Sequence, residues 1–227
     1  MTAGDIKNFL QDYLLWILKL GGWVLDKLKE WKLSKNKKRE RAIRRKRAVF
    51  QDSLTGDITK WTPINGQPQI SQIRGKPPYI RSLLLEETQE SRRYSFVGAN
   101  YNKIQDGEVE CDVYLEREAL FNLVIRADDQ YNIYYMVRLD SRRGQFNGIL
   151  FDPGNRNWDF IKQSNINTAS DRWWHMRVRF KGSEIKLYLD GKLVIATSDK
   201  RLPGLGNVGI FNELKRVFVN NFVIRKF

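Results

Sequence analysis

The sequence predicts a mainly β protein, an antiparallel sandwich preceded by a long N-terminal amphipathic helix. Three observations predict it. All six prolines lie after residue 62, and residues 1–50 hold only three glycines. The opening segment is thus free to run as a helix, while turn residues punctuate the rest. Charge divides the chain at the same place. Residues 1–50 carry 14 basic and 5 acidic residues, a net of +9, whereas residues 51–227 carry 26 and 21, a net of +5. Period-two alternation of apolar residues then recurs from residue 108 to the end, with no helical pattern between the runs. The chain divides into an amphipathic segment 1–34, a polybasic segment 35–49 and a β domain 50–227, with the boundary near 48–60.

With 227 residues, 41% of them hydrophobic and 29% charged, the chain has enough apolar material for a core, which excludes wholesale disorder. The net charge of +14 points to a polyanionic partner, either lipid headgroups or nucleic acid. A single cysteine, Cys111, excludes an internal disulfide framework and a cysteine-cluster metal site. A single histidine argues against a His-based zinc or copper site. No cofactor and no metal are expected.

In the first segment Asp5, or alternatively Thr2, is placed to cap a helix. At about 100° per residue, Ile6, Leu10, Tyr13, Leu14, Ile17, Leu20, Val24, Leu28 and Trp31 share one side. Phe9, Trp16, Leu18, Trp23 and Leu25 widen that side, and Asn8, Gln11, Asp12, Lys19, Asp26, Lys29 and Glu30 occupy a narrow opposite strip. The apolar arc covers roughly two-thirds of the circumference, against about 100° on an ordinary surface helix. Gly21-Gly22 leaves open a straight helix, a kink or a hairpin. A transmembrane span is not expected, because Lys19 interrupts the apolar run between Asp12 and Asp26 and a span needs about 20 apolar residues. Asp5 and Asp12 sit where a signal peptide would be basic. Three readings remain: insertion in a membrane interface, self-association into a homo-oligomer, and packing on the β domain. Three tryptophans suit an interface, where ring and N–H are both satisfied.

The next stretch holds Lys35, Lys37, Lys38, Arg39, Arg41, Arg44, Arg45, Lys46 and Arg47. On an anionic leaflet such a run contributes about 1 kcal/mol per cation. An apolar insertion beside a polybasic patch supplies the two signals that stable anchoring needs. Nucleic acid would use the same charges through counterion release. The adjacent tryptophan-rich face favours anionic lipid, since nucleic acid offers it no apolar solvent. The positive charge predicts a peripheral position on the cytoplasmic face of a membrane.

The β domain follows element by element. Val109, Cys111, Val113 and Leu115 share a strand face, as do Phe121, Leu123, Ile125 and Ala127. The same holds for Ile133, Tyr135, Val137 and Leu139, for Trp174, Met176, Val178 and Phe180, and for Ile185, Leu187 and Leu189. Asp190-Gly191 between two apolar runs is a hairpin signal. The last run, with Val217, Val219, Phe222 and Ile224, slips phase at Asn220-Asn221, which predicts a bulge. About ten to twelve strands are expected.

The run Asp171-Arg-Trp-Trp-His-Met-Arg-Val-Arg-Phe-Lys-Gly-Ser-Glu-Ile-Lys-Leu-Tyr-Leu-Asp-Gly-Lys-Leu-Val194 resembles the strand–hairpin of the laminin-G/concanavalin-A-like family. Gly204-Leu-Gly-Asn-Val-Gly-Ile210 and the final Val217–Ile224 strand resemble that family's usual ending. The chain is also similar to the sandwich domains of the 3-keto-disaccharide hydrolase type. The resemblance covers roughly residues 50–227 and implies a jelly-roll sandwich. It implies a binding module without fixing the ligand, because this fold hosts lectins, glycosidases, adhesion modules and spacers. Residues 1–47 carry no such likeness.

Parity places Asn122, Val124 and Arg126 outward on one strand, Tyr134, Met136, Arg138 and Asp140 on the next, and Trp173, His175, Arg177 and Arg179 on a third. If the three strands lie in one concave sheet, Arg126, Tyr134, Arg138, His175, Arg177 and Arg179 form a basic, partly aromatic face for an anionic glycan, a phosphate or a carboxylate. The alternative is a solvated or oligomer-facing surface. Glu108, Glu110 and Asp112 alternate but lack the flanking aromatics of a sugar cleft, so glycosidase chemistry is not expected. Asp128-Asp129 and Asp152 could offer oxygens to calcium, as the resemblance allows, or could simply form turns. Gly204, Gly206 and Gly209 have dinucleotide-loop spacing without a following helix, so a turn and a close strand approach are expected instead.

The leading expectation is a non-enzymatic peripheral membrane scaffold that docks by its helix and basic run, self-assembles and presents the sandwich. The alternative is a membrane-tethered carbohydrate-binding or carbohydrate-processing domain. Nucleic-acid binding through the basic run stands third.

Overall fold

A strand forms here wherever apolar and polar residues alternate, because only then can one face pack while the other meets solvent or a polar network. The structure, a computed structural model, describes residues 48–66, 68–72, 81–88, 93–94, 96–99, 103–142, 146–154 and 157–227. The amphipathic segment 1–34, with every residue expected to insert in a membrane, and the basic residues through Arg47 lie outside the described residues. Ala48–Phe227 forms one unit.

Seventeen strands are described rather than ten to twelve. The first seven are β1 (Ala48–Asp52), β2 (Trp61–Asn65), β3 (Gln69–Gln72), β4 (Arg81–Leu85), β5 (Glu87–Thr88), β6 (Arg93–Tyr94) and β7 (Phe96–Ala99). The long central strands are β8 (Gly107–Leu115), β9 (Leu120–Ala127), β10 (Ile133–Asp140), β11 (Gly148–Pro153) and β12 (Asp159–Gln163). The last five are β13 (Arg172–Lys181), β14 (Glu184–Leu189), β15 (Lys192–Ser198), β16 (Asn207–Leu214) and β17 (Val217–Lys226). One sheet has eight strands in the order β15-β14-β13-β8-β17-β4-β3, with β1 also on β17. The other has seven, in the order β12-β11-β10-β9-β16-β7-β2, and β5 pairs β6 separately. The described pairings are antiparallel.

The core is the meeting of the two inner faces. Val109, Cys111, Val113 and Leu115 of β8 and Trp174, Met176, Val178 and Phe180 of β13 face Phe121, Leu123 and Ile125 of β9 and Tyr135, Val137 and Leu139 of β10 in one buried cluster. Burying each large side chain contributes about 1.5–3 kcal/mol. Asp190 (φ 48°) and Gly191 (φ 82°) both take positive φ, as a two-residue turn with strand-compatible twist requires. In β17 the register shifts between Asn220 and Val223, with Asn221 at φ 49°. That is the bulge the phase slip predicts. Gly206 approaches β9 so closely that a Cβ there would lie 2.4 Å from the Arg126 backbone, which explains a glycine in that run without any nucleotide.

Candidate functional site

The outward face of the seven-stranded sheet is not a plain solvent face. Val124, Ala127, Tyr134, Met136, Leu150 and Phe211 form a second buried cluster there, with Tyr131, Trp158 and Phe160 packed against it. Register explains the assembly. Arg138 pairs with Asn122 of β9 and Gly148 of β11, and Asn122 pairs with Phe211 of β16. These residues form one row across four strands. Gly148 has to be small, since a Cβ on it would come within 2.8 Å of the Phe160 ring.

Arg138 is the centre of this row. Its Nε donates to Asn122 Oδ1 at 2.8 Å, and its Nη2 pairs with Glu213 Oε1. Asn122 Nδ2 also donates to Glu213 Oε1, at 3.3 Å. The guanidinium lies 4.6 Å from the centroid of the Trp158 ring, a cation–π contact strengthened by exclusion of water. Only 2% of the Arg138 side chain is exposed, against 23% for Glu213. Burial raises the Glu213 carboxyl above the ordinary carboxylate range, although Arg138 beside it pulls the other way. Burial also lowers the Arg138 guanidinium from its usual value, while a guanidinium stays protonated at neutral pH. The result is a desolvated ion pair with a carboxylate edge turned toward solvent.

Of the six residues expected on one ligand face, the structure joins only Tyr134 and Arg138. Tyr134 sits edge-on to Phe211, 6.2 Å between centroids. His175, Arg177 and Arg179 belong to β13, which lies in the eight-stranded sheet. They occupy the far side of the sandwich, because outward parity fixes a side chain's face but not its sheet. Arg126 is the second correction. One residue of β16, Val208, opposes both Ile125 and Arg126 of β9, as the register shift between Asn207 and Gly209 shows. Arg126 has φ 52°, and this bulge turns it inward and moves Ala127 to the outer cluster. Its guanidinium sits 5.5 Å from the Phe180 ring centroid and donates to the carbonyls of Gln105 and Leu202. It locks the sandwich edge instead of facing a ligand.

Asn122 was legible by parity. Glu213 was not, because it sits where β16 slips register between Asn212 and Leu214. Trp158 precedes a short strand with weak alternation. Asp128 Oδ1 accepts the amides of Asn132 and Ile133, Asp129 pairs with Lys103, and Asp152 Oδ1 accepts the Gly154 amide. These aspartates serve as turn formers. Among the described residues no three His, Cys, Asp or Glu side chains gather as a metal site.

Comparison with known proteins places this geometry in context. The 3-keto-alpha-glucoside-1,2-lyase-like domain family matches residues 27–225, starting earlier than the expected 50. No curated protein matches. Among solved structures, the carbohydrate binding module CBM66 from Bacillus subtilis aligns with TM-score 0.60 at 18% identity, over 75% of this chain and 98% of that one. A Bacillus subtilis protein of unknown function with a galectin-like fold gives 0.60 at 12%, over 79% and 96%. A putative glycosyl hydrolase from Parabacteroides distasonis gives 0.53 at 10%, over 76% and 91%. The concanavalin-A-like resemblance and the two-sheet sandwich hold.

Proposed function

The chain belongs to the 3-keto-alpha-glucoside-1,2-lyase-like domain family, and from that premise we propose that its sandwich binds a saccharide on the outward face of the seven-stranded sheet. One observation carries the reading: the Arg138–Glu213–Asn122 constellation beneath Trp158. A sugar presents an apolar C–H face and hydroxyls that both donate and accept. An aromatic-lined surface with a few fixed polar groups answers both. Glu213 accepts from a hydroxyl, Asn122 orients the pair, and the Trp158 ring covers the apolar side. The likeness to the CBM66 carbohydrate binding module and to the putative glycosyl hydrolase supports the same class of ligand.

The domain acts as a binding module in this reading. Glycoside hydrolysis needs two carboxyl groups about 5–9.5 Å apart with separate roles. Glu213 is held by Arg138. Both oxygens of Asp140, the buried carboxylate at the end of the same strand, are occupied by Arg142 and the Phe146 amide. Residues 1–47 tether the domain to an anionic membrane surface, and the scaffold reading, which rests on those residues alone, gives way to its tethered carbohydrate-binding alternative.

A glycan array probed with the full chain tests the proposal. Saturable binding is expected, weakened tenfold or more in Glu213→Gln and in Trp158→Ala while far-UV circular dichroism is unchanged. Binding by either variant equal to that of the parent, or no bound glycan, overturns it. Flotation on phosphatidylglycerol liposomes tests the tether: replacing Arg44, Arg45, Lys46 and Arg47 with glutamine is expected to reduce it, and undiminished flotation overturns it.

A further inference from the structure

The far side of the sandwich holds a second arrangement that the saccharide face does not use. On β13 the outward side chains are Trp173, His175, Arg177, Arg179 and Lys181, two residues and so about 7 Å apart along the strand. On β8 the middle three meet Asp112, Glu110 and Glu108 in register. That pairing predicts three mutually neutralising cross-strand pairs, and the structure departs from it. Arg225 of β17, buried, reaches across and takes both glutamates, Nη1 to Glu110 Oε2 at 2.8 Å and to Glu108 Oε1 at 3.5 Å. Arg177 and Arg179 are left with no carboxylate in ion-pair range among the described residues. Each rests instead on an aromatic ring, Arg177 at 4.1 Å from the Tyr188 centroid and Arg179 at 4.7 Å from that of Phe227. Stacking fixes the plane of a guanidinium and leaves its N–H edges free for an oxyanion.

His175 extends the row. Its Nδ1 is 2.8 Å from Asp112 Oδ1, Asn221 Nδ2 donates to Asp112 Oδ2 at 3.0 Å, and 49% of the histidine side chain is exposed. The ring is thereby aimed with Nε2 outward. The hydrogen bond to Asp112 raises its pKa above the usual histidine value, so the row carries three positive charges in mildly acidic solution. The charged groups acting on the ring are Asp112 and Glu110 of β8 and Arg177 of β13; Asn221 of β17 braces Asp112, and Asp190 in the hairpin accepts the His175 amide through Oδ1.

We infer that this row is a second binding site, which takes successive carboxylates of a uronate polysaccharide along β13 at His175, Arg177 and Arg179. A strip one strand wide, bordered by the carboxylates of β8, fits a linear polyanion and opposes a planar anionic bilayer. Tyr188 and Phe227 lie under guanidinium groups and Trp173 packs against Tyr114 and Phe218, so the strip offers no row of open rings to successive nucleobases. The site is separate from the saccharide face, and each can fail without the other.

The chain's only histidine is its own reporter. Its imidazole NMR signal reads this strip and not residues 35–47, where any polyanion is also attracted. With the full chain, oligogalacturonate is expected to shift the His175 signal and raise its titration midpoint. The double variant Arg177→Gln/Arg179→Gln should weaken that response tenfold or more, and Arg177→Lys/Arg179→Lys should restore part of it. Glycan-array binding that depends on Glu213 should be untouched by either double variant. An unmoved signal with oligogalacturonate overturns the inference. So does an equal or stronger response to phosphatidylglycerol vesicles or to a single-stranded oligonucleotide, which would assign the strip to another class of partner.

Discussion

On the seven-stranded sheet the outward arginine, Arg138, is buried under Trp158 and tied to Glu213. On the eight-stranded sheet the outward Arg177 and Arg179 lie over Tyr188 and Phe227, without an ion pair among the described residues. Both sets follow from the same alternation of strand residues. What separates them is the neighbourhood: Trp158 and Phe160 overlie the first row, whereas the second has its counter-charges withdrawn by Arg225. An outward position in a strand thus sets a direction, and cross-strand neighbours decide whether a charge there is structural or available.

Stability measurements sharpen this contrast. The largest effect is expected from Arg138→Met, which leaves Glu213 and Asn122 without their partner. Breaking a buried pair costs about 3–5 kcal/mol. Arg177→Met, by contrast, should cost below about 1 kcal/mol. Urea denaturation of the two variants checks this, and equal losses would break the comparison. Gly148→Val comes next. Its side chain must displace both the Phe160 ring and the Lys162 carbonyl, each 2.8 Å from the Cβ position. Such overpacking costs about 1–3 kcal/mol, and the shift should also reduce glycan binding beside Arg138.

The smallest effect is the pH dependence at His175. Its folded pKa lies above the unfolded value because of Asp112, so the folded state binds the proton more tightly. The stabilisation is complete below about pH 6.5, the unfolded value, and disappears as the pH rises through the folded value. Solvent screening holds it below about 1 kcal/mol. His175→Gln should therefore be less stable than the parent at pH 5.5 and equal to it at pH 9 in parallel urea titrations. A difference that grows with pH would contradict the geometry.

Much of the sandwich was legible because its strands are two-sided. Val109 to Leu115 and Trp174 to Phe180 alternate without interruption, and both sets are core. Asp190-Gly191 announced its turn through residues that tolerate positive φ. Sheet membership was not legible, since alternation in β9, β10 and β13 says nothing of which strands are neighbours. Parity fails at Arg126 for a local reason: a bulge against Val208 reverses the phase at the strand's end, and Ile125-Arg126-Ala127 carries no turn residue to signal it. Glu213 carries no local signal, because its meaning depends on Arg138, 75 positions earlier. Short strands such as β5 and β6 are below what periodicity resolves.

The bulge in β17 has one more implication. Asn221 is the surplus residue in an otherwise regular ladder, for Val217 and Val219 before it and Phe222 and Ile224 after it all reach the core. A chain lacking Asn221 would alternate evenly and could pair with β8 along its whole length. What it would lose is the amide that braces Asp112 from behind. The molecule keeps an irregular closing strand, and in return its solitary imidazole is held at a fixed angle.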